Sequence, residues 1–439
     1  MLKTLVGAFK NKDIRKKILY TLMILVIVRV GSLLPIPGVD TEYFSSLLSG
    51  INTGDLSYLS AFTGGSFERM SLFALSITPY ITSSIIMQLL AIAIPKLEEM
   101  QKEGEDGRKK IAAITRYVTI ALALIDSIAM AVGFGRSGLI KGYQGFSTLH
   151  YIVSIIVVVA ALTAGSAMLM WLGERITENG VGNGISIVLL INIISGMPSD
   201  FATLYSTFVA PRTIAKGVLA AAIIIAILVV MVVLVCFLQD GERRIPVQYS
   251  QKVSGRKTFG GQSTNIPLKV NTAGVMPVIF ASSLMQFPVI IAQLFGKSYE
   301  WTRYLSSSYW CRISAPKYSI GLILYIVLLI IFAYFYTSIT FNPIEVADNL
   351  KKAGGVIPGI TPGKSTSDYL NNILNYIVFV GAVGLLIIAL IPIMCTGFFN
   401  ASVSFGGTSV IIIVGVVLET LKQIESQMVN RYYKGFLSE

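Results

Sequence analysis

The sequence predicts an all-α polytopic membrane protein, and three observations support this prediction. Of the 439 residues, 54% are hydrophobic and only 13% are charged. The apolar residues fall in blocks of about 20, roughly the length of α-helix that crosses bilayer hydrocarbon. The blocks are continuous, whereas a membrane β-barrel would show alternating segments of about ten residues.

Ten apolar blocks follow one another along the chain, and each is a candidate transmembrane helix. The fifth block is short and marginal for a span. The expected limits are 18–34, 71–94, 112–133, 150–172, 183–197, 217–239, 270–294, 319–341, 370–391 and 408–428.

Lysine and arginine are unevenly divided between the two sides of the predicted membrane. With the N-terminus inside, 25 of the 35 lie in or next to cytosolic connections and nine lie in outside ones. Positive charges resist transfer during insertion, so both termini are expected in the cytosol. This bias and anionic inner-leaflet lipid explain the net charge of +12 without nucleic acid binding.

The second block contains an unusually polar stretch, ITPYITSSIIMQ, at residues 77–88. Helical spacing aligns Ile77, Ile81, Ser84 and Gln88 in one stripe that changes from isoleucine to polar. Pro79 is expected to leave a carbonyl without its helical donor, which is tolerable only away from lipid. Two interpretations remain open: the stripe faces a water-filled interior, or its hydroxyls bond to their own helix.

The segment before that stretch, residues 53–71, fits neither a span nor an ordinary loop. It is short and half-apolar, is interrupted by Gly64-Gly65, and carries Asp55, Glu68 and Arg69. A re-entrant helix enclosed by protein would accommodate it. An interfacial amphipathic helix on the outer surface is the alternative.

The sequence lacks the parts of common catalytic and metal sites. Three scattered cysteines and the single His150 supply neither a disulfide framework nor a Cys/His metal site. PGITPGKST, residues 358–366, has Pro358 where a phosphate-binding loop requires glycine. No G-x-S-x-G motif accompanies a histidine. We therefore expect no catalytic residues, no metal and no cofactor, and the protein is not expected to be an enzyme.

Long, ordered motifs give the chain a resemblance to the SecY family, the central subunits of the bacterial protein-conducting channel. They span nearly the whole sequence: PIPG (35–38), TPYITSSIIMQLL (78–90), EGEDGRKKI (103–111), WLGERITENGVGNGISI (171–187), QSTNIPLKVNTAGVMPVIFASS (262–283), FNPIEVADNLKKAGGVIPGI (341–360) and FGGTS (405–409).

The resemblance implies an hourglass pore between two inverted five-helix halves, at about 1–215 and 216–439. It places an apolar ring at the waist, and the sequence departs mildly there because Leu189 stands where the family often has Ile. Without the resemblance, ordinary helix packing would be the preferred interpretation of Ile279 and Ile412. The implied ring consists of Ile77, Ile81, Leu189, Ile279 and Ile412.

The resemblance also implies a plug and a lateral gate. The segment at about 55–70 corresponds to the plug that closes the pore from outside, with Leu59, Ala61, Phe62, Gly64, Gly65 and Arg69 as its residues. The second and seventh helices border the gate that releases apolar segments into lipid. The implied gate residues are Thr82, Ile85, Ser283 and Phe287.

Two cytosolic loops, 240–269 and 342–368, are basic. In the first, a Ser-Gly pair between two strand-like runs forms a hairpin-like pattern that is weak by itself. The positive-inside bias alone explains the charge, whereas the resemblance implies docking of the ribosome or the SecA motor ATPase. Thr361 departs from the family, which commonly has Arg there. The implied docking residues are Arg256, Lys257, Lys351, Lys352, Thr361 and Lys364.

The resemblance implies a passive channel for unfolded polypeptide in the bacterial cytoplasmic membrane. Its expected partners are the SecE and SecG subunits, SecA, the ribosome, signal peptides, nascent chains and lipid. A secondary transporter is the alternative function, because inverted repeats and interrupted helices also characterise that class. Few ionisable residues lie inside the predicted spans, among them Arg29, Asp126 and, near an end, Glu419, which disfavours coupled transport.

Overall fold

A computed structural model describes residues 9–42, 44, 46, 63–134, 148–211, 214–249, 252–254, 257–259, 263–294, 300–306, 309–311, 316–399 and 407–436. Each of the ten predicted blocks contains a long helix. These helices are α1 (Lys12–Leu33), α2 (Thr78–Ala93), α4 (Glu105–Phe134), α5 (Thr148–Asn179), α6 (Gly184–Leu204), α7 (Ile214–Asp240), α8 (Met276–Leu294), α10 (Ile320–Thr340), α12 (Lys364–Phe399) and α13 (Gly407–Phe436).

Short helices also connect the long ones, among them α3 (Pro95–Lys102), α9 (Thr302–Leu305) and α11 (Pro343–Lys352). Within the described ranges, six long helices are apolar enough over sufficient length to cross a membrane. A seventh span results if α2 and α3, which are bent by 106° at their junction, are counted together. The chain is thus a helical, polytopic membrane protein, as predicted.

Two predicted block limits are wrong for the same physical reason. Residues 71–77 form turns, and α2 begins only at Thr78. Residues 270–275 are likewise turns before α8. Protein encloses much of both stretches, so each continues an apolar block of the sequence, but burial alone does not require a helix. Pro79 consequently lies in the first turn of α2, where no helical donor is needed, so it leaves no carbonyl unpaired within that helix.

The fifth block is longer than the sequence predicts. Helix α6 has 21 residues and continues into a π-helical turn, Tyr205–Val209. Asn183 caps its start by accepting a hydrogen bond from Ile185 N at 3.2 Å. Gly184 is required there, since a Cβ atom would lie 1.9 Å from the carbonyl oxygen of Gly173 on α5.

Most helix packing joins neighbours within the first five or the last five long helices. In the first group α2 contacts α4, α4 contacts α5, and α5 contacts α1 and α6. In the second, α8 contacts α10, α10 contacts α12, and α13 contacts α7 and α12. Packing of α6 on α13 and of α4 on α8 joins the two groups.

Hydroxyl groups reinforce the packing of the first group. Ser83 of α2 and Thr119 of α4 are hydrogen-bonded at 2.5 Å, and Thr163 of α5 donates to Ser127 of α4 at 3.1 Å. Such small hydroxyl residues let helix backbones approach closely within a membrane. They tie α2, α4 and α5 together.

The described residues also contain five short strands, β1 (Glu242–Tyr249), β2 (Lys252–Ser254), β3 (Lys257–Phe259), β4 (Ser263–Lys269) and β5 (Gly355–Val356). Strand β1 pairs antiparallel with β4, from Glu242 opposite Lys269 to Gln248 opposite Ser263. Strands β2 and β3 form a small hairpin within this connection. The hairpin-like sequence pattern therefore corresponds to real strands. We call the end of the molecule that carries them the hairpin end.

The two basic loops form one structural unit. Strand β5, from the loop after α10, pairs with the end of β1 through Gln248 and Tyr249. Beneath the sheet, Ile245 and Val247 pack in one apolar cluster with Leu350 of α11 and Leu370 of α12. We call β1, β4, β5, α11 and the first turns of α12 the loop module.

Candidate channel and its constriction

Five aliphatic residues meet in one apolar cluster: Ile77 immediately precedes α2, and the other four lie on four helices. Four of them are almost fully buried, with exposed fractions of 1% for Ile77, 5% for Leu189, 7% for Ile279 and 1% for Ile412. Ile81 is partly buried and packs against the same cluster. Helices α2 and α6 come from the first group, and α8 and α13 from the second. All five ring residues implied by the resemblance are therefore brought together.

A cavity of about 550 Å³ lies directly on the hairpin-end side of this cluster. Ile81, Leu189, Ile279 and Ile412 line the part of its wall that belongs to the cluster. Polar residues line much of the remainder, among them Ser84, Gln88, Asn271, Thr272, Glu419 and Lys422. The cavity is thus polar towards the hairpin end and is bounded by aliphatic side chains in the middle of the molecule.

The stripe on α2 explains this change in polarity. Its isoleucines belong to the apolar cluster, and Ser84 and Gln88, one and two turns further on, line the cavity. Thr82, on a neighbouring face, instead donates a hydrogen bond to the carbonyl oxygen of Thr78 at 3.1 Å. Both interpretations of the polar stretch thus apply, each to a different face of the helix.

Residues 63–77 lie inside the protein on the side of the cluster away from the cavity. Met70 is fully buried, and Phe67 is 5% exposed. Asn192 of α6 donates to Ser76 Oγ at 3.1 Å, and Ser195 donates to the carbonyl oxygen of Gly64 at 3.4 Å. This enclosure fits a re-entrant segment better than an interfacial one.

The re-entrant segment is not helical between Gly64 and Ile77, and residues 53–62, the larger part of the expected re-entrant helix, lie outside the described residues. Positive φ angles at Gly64 (63°), Gly65 (78°), Met70 (42°) and Ser76 (53°) are incompatible with a continuous right-handed helix. Arg69 is exposed, whereas Gly64 and Gly65 are half-buried. The other implied plug residues, Leu59, Ala61 and Phe62, lie outside the described residues.

The implied gate residues lie on two helices. Ile85 of α2 packs against the apolar cluster, and Ser283 of α8 is half-buried. Phe287 is also on α8, but its side chain lies outside the described part. Helix α8 itself packs against α4 and α10.

The implied docking residues are mostly surface groups of the loop module. Lys351, Lys352, Thr361 and Lys364 are exposed. Thr361 Oγ1 donates to Ser365 Oγ at 2.9 Å beside the first turn of α12. Lys257 begins β3, and Arg256 lies outside the described residues.

Sequence reasoning missed part of the cavity wall. The non-helical residues 271–275 line it, including Asn271, whose side chain donates to the carbonyl oxygen of Gly274 at 3.0 Å. The polar Asn-Thr pair at the predicted start of the seventh block was the available signal. Ion-paired Lys422, which contacts Asp240 at 2.8 Å, was likewise not singled out.

Comparison with known proteins identifies similar sequences and folds. The SecY family profile matches residues 71–421. SecY of Streptomyces galbus, named as a protein translocase subunit, is 44% identical over 446 residues and aligns over the whole of both chains. SecY of Halalkalibacterium halodurans is 42% identical, again over the whole of both chains.

Solved structures show the same fold at lower sequence identity. A protein-conducting channel is 18% identical, with a TM-score of 0.62 over 94% of this chain and 93% of its own. A SecY channel studied for its plug domain has a TM-score of 0.63, 18% identity and coverage of 94% and 92%. Canine Sec61 in a ribosome-channel complex has a TM-score of 0.62 at 18% identity and covers 94% and 93%.

Proposed function

The chain belongs to the SecY family and is a protein-conducting channel of a membrane, and we propose that this channel closes at the apolar cluster just described. Ile77, Ile81, Leu189, Ile279 and Ile412 form the proposed ring. One observation carries the proposal: a polar cavity ends at aliphatic side chains drawn from four helices of both groups.

The chemistry of such a ring suits a channel for unfolded polypeptide. The ring must let every type of side chain pass, so it cannot offer fixed hydrogen bonds to any of them. Aliphatic groups close around a chain without specific bonds, and an empty apolar constriction excludes water and ions. The polar cavity can meanwhile hydrate a chain that enters from the hairpin end.

We further propose that the re-entrant segment is part of a plug. Residues 63–77 are adjacent to the ring through Phe73 and Ile77, which both belong to the apolar cluster. The segment's contacts with α6 would hold it in place until a chain displaces it. Thr82 and Ile85 on α2, together with Ser283 and Phe287 on α8, are the proposed lateral gate.

The proposed setting is the bacterial cytoplasmic membrane, with both termini in the cytosol. The charge distribution of the connections supports this orientation, which puts the hairpin end inside. Residues 1–215 and 216–439 would then form two inverted halves, consistent with helix packing that falls mostly within each group.

The proposed partners supply the energy that a passive channel lacks. Relatives are named as translocase subunits, and a similar Sec61 structure is a ribosome-channel complex. We infer that SecE and SecG complete this channel, that SecA or the ribosome docks on the loop module, and that signal peptides and nascent chains pass through. The chain itself would catalyse no reaction. Family membership disfavours the alternative of a secondary transporter.

Replacing Ile279 by Ser tests the ring, because a hydroxyl at the constriction would hydrate it and admit small ions. We expect the resting conductance of the purified channel complex in planar bilayers to rise at least severalfold. Ile323→Ser is the matched control, because Ile323 on α10 is 62% exposed and lies away from the cluster. Equal, low conductance of parent and both variants would contradict the ring.

A further inference from the structure

The connection between α8 and α10 has an unusual charge. It carries Lys297, Arg303, Arg312 and Lys317, four of the nine lysines and arginines assigned to the outside. Positive charge on that side opposes insertion, so a cluster there requires an explanation that the channel does not supply. The described part of the connection includes Arg303 and Lys317.

These two cations converge on one phenol. Arg303 and Lys317 both act electrostatically on the Tyr318 phenol oxygen. Lys317 Nζ lies 5.0 Å from the centroid of the Tyr318 ring, and Arg303 Cζ lies 5.9 Å from that of Tyr309. Both cations are exposed, whereas Tyr318 is only 5% exposed. The site is therefore a positively charged surface over a buried aromatic base.

Packing fixes the aromatic base. The ring of Tyr318 meets those of Tyr304 and Tyr309 edge-on, with centroids 5.0 and 5.9 Å away. Trp310, which is 2% exposed, donates from Nε1 to the carbonyl oxygen of Tyr304 at 2.8 Å. A Cβ atom at Gly321 would lie 1.6 Å from that same oxygen, so only glycine permits this approach. The aromatic side chains are therefore already ordered, so a bound ligand would lose little free energy in ordering them.

The cations lie where lipid headgroups are expected. Helix α10 begins two residues after Tyr318, and the apolar side chains of Ile320, Ile323 and Leu324 are 63%, 62% and 44% exposed. In a spanning helix such a face contacts lipid tails. Cations and aromatic rings at the end of that face lie at the membrane interface.

We propose that Arg303, Lys317 and Tyr318 bind the phosphate of an anionic phospholipid, phosphatidylglycerol, in the leaflet opposite the hairpin end. The two cations donate charge-assisted hydrogen bonds to phosphate oxygens, and the phenol O–H is a third donor. Glu300 acts electrostatically on both cations, which leaves the three charged groups with a net positive charge that favours an anionic headgroup. This site goes beyond the channel function and does not depend on the ring.

The test is titration of the purified, detergent-solubilised channel complex with phosphatidylglycerol, following the first bound lipid by native mass spectrometry. Lys317→Gln should weaken this first binding step about tenfold, and the Arg303→Gln, Lys317→Gln double variant about a hundredfold. Lys216→Gln is the matched control, because Lys216 is an exposed cation near the start of α7, at the same end of the molecule. It should bind as the parent does.

Three outcomes would overturn the proposal. The double variant could bind phosphatidylglycerol as tightly as the parent does. Phosphatidylcholine with the same acyl chains could bind equally well, which would exclude recognition of an anionic headgroup. Inorganic phosphate could bind the site alone and displace the lipid at millimolar concentration, which would make the ligand a free anion. Tyr318→Phe keeps the aromatic base and removes only the hydroxyl. Its thermal unfolding reports whether the fold is intact, and its lipid affinity reports the loss of the hydroxyl.

Discussion

At the residue scale, Gly165 shows how closely the re-entrant segment is packed. A Cβ atom on this α5 residue would lie 1.9 Å from the carbonyl oxygen of Leu72. That carbonyl belongs to the backbone, which cannot yield as a flexible side chain can. The helix and the segment are therefore in contact at a position that only glycine allows.

Gly165→Ala should displace residues 63–77 and loosen the resting channel. We expect the free energy of unfolding to fall by roughly 1–3 kcal/mol, as is typical of overpacking, so that thermal unfolding occurs at a lower temperature. The resting ion conductance should rise. Gly196→Ala on α6 is the control, because a Cβ atom there would have no neighbour within 4 Å. Both substitutions favour the helix equally by propensity, so a difference between them reports the contact. Identical stability and conductance would exclude a tight contact at Gly165.

Sequence reasoning at this scale reached the α2 residues but not the rest of the ring. Ile77 and Ile81 stood out because their stripe becomes polar at Ser84 and Gln88, a change that packing alone does not require. Ile279 and Ile412 lie in continuous apolar runs of α8 and α13, where a pore-facing side chain and a core side chain have the same chemistry. Only the family resemblance singled them out. Helical periodicity cannot distinguish a closed constriction from a core.

At the element scale, the ten helices were predictable because each needs a long apolar run. Their limits were less predictable wherever non-helical backbone lies inside the protein. Residues 71–77 and 270–275 are partly buried turns beside the cluster and the cavity, and each continues an apolar block of the sequence. Hydropathy measures separation from water, and it is the same for a buried turn as for a helix. The two errors therefore fall next to the candidate channel.

The proposed gate between α2 and α8 predicts a disulfide. After replacement of the free cysteines Cys236, Cys311 and Cys395, new cysteines at Thr82 and Phe287 should form a bond under oxidising conditions. A disulfide requires Cα atoms within about 7 Å, so its yield reports whether the helices adjoin. The disulfide should block membrane insertion of apolar segments, and reduction of the disulfide should restore insertion.

Each single-cysteine variant is the control for this crosslink. Accessible thiols at both positions that nevertheless fail to pair would contradict the proposed gate. Efficient pairing without any effect on insertion would show that the two helices need not separate there.

At the scale of the whole molecule, two loops distant in sequence act as one surface. Strand β5 extends the sheet of β1 and β4, and their shared apolar cluster includes Leu350 and Leu370. The sequence indicated only a weak hairpin, because cross-loop pairing through two residues of β5 leaves no local pattern. The lysines of the second loop are consequently carried by a packed module rather than by an independent loop.

This arrangement bears on Thr361, for which the sequence resemblance implies an arginine in the family that engages SecA. A threonine hydroxyl cannot replace a planar, permanently charged guanidinium. Thr361 is exposed, and the contacts described for it are local: its hydroxyl donates to Ser365 Oγ, and its carbonyl oxygen accepts from Thr366 Oγ1. Lys351, Lys352 and Lys364 are exposed on the same module, and we infer that their charge compensates for the missing arginine.

Changing Lys351, Lys352 and Lys364 together to Glu should therefore weaken SecA binding roughly tenfold at low salt and slow SecA-driven secretion in reconstituted vesicles. Thr361→Arg should maintain or raise secretion, because an exposed position admits the longer side chain without burying its charge. The control is the same charge reversal at Lys96, Arg108 and Lys109, exposed residues of α3 and α4 outside the loop module. If the module variant secretes as fast as the parent, the lysines do not compensate and the arginine's role does not transfer to this chain. If the control is equally impaired, net charge at the hairpin end, rather than the loop module, governs engagement of the motor.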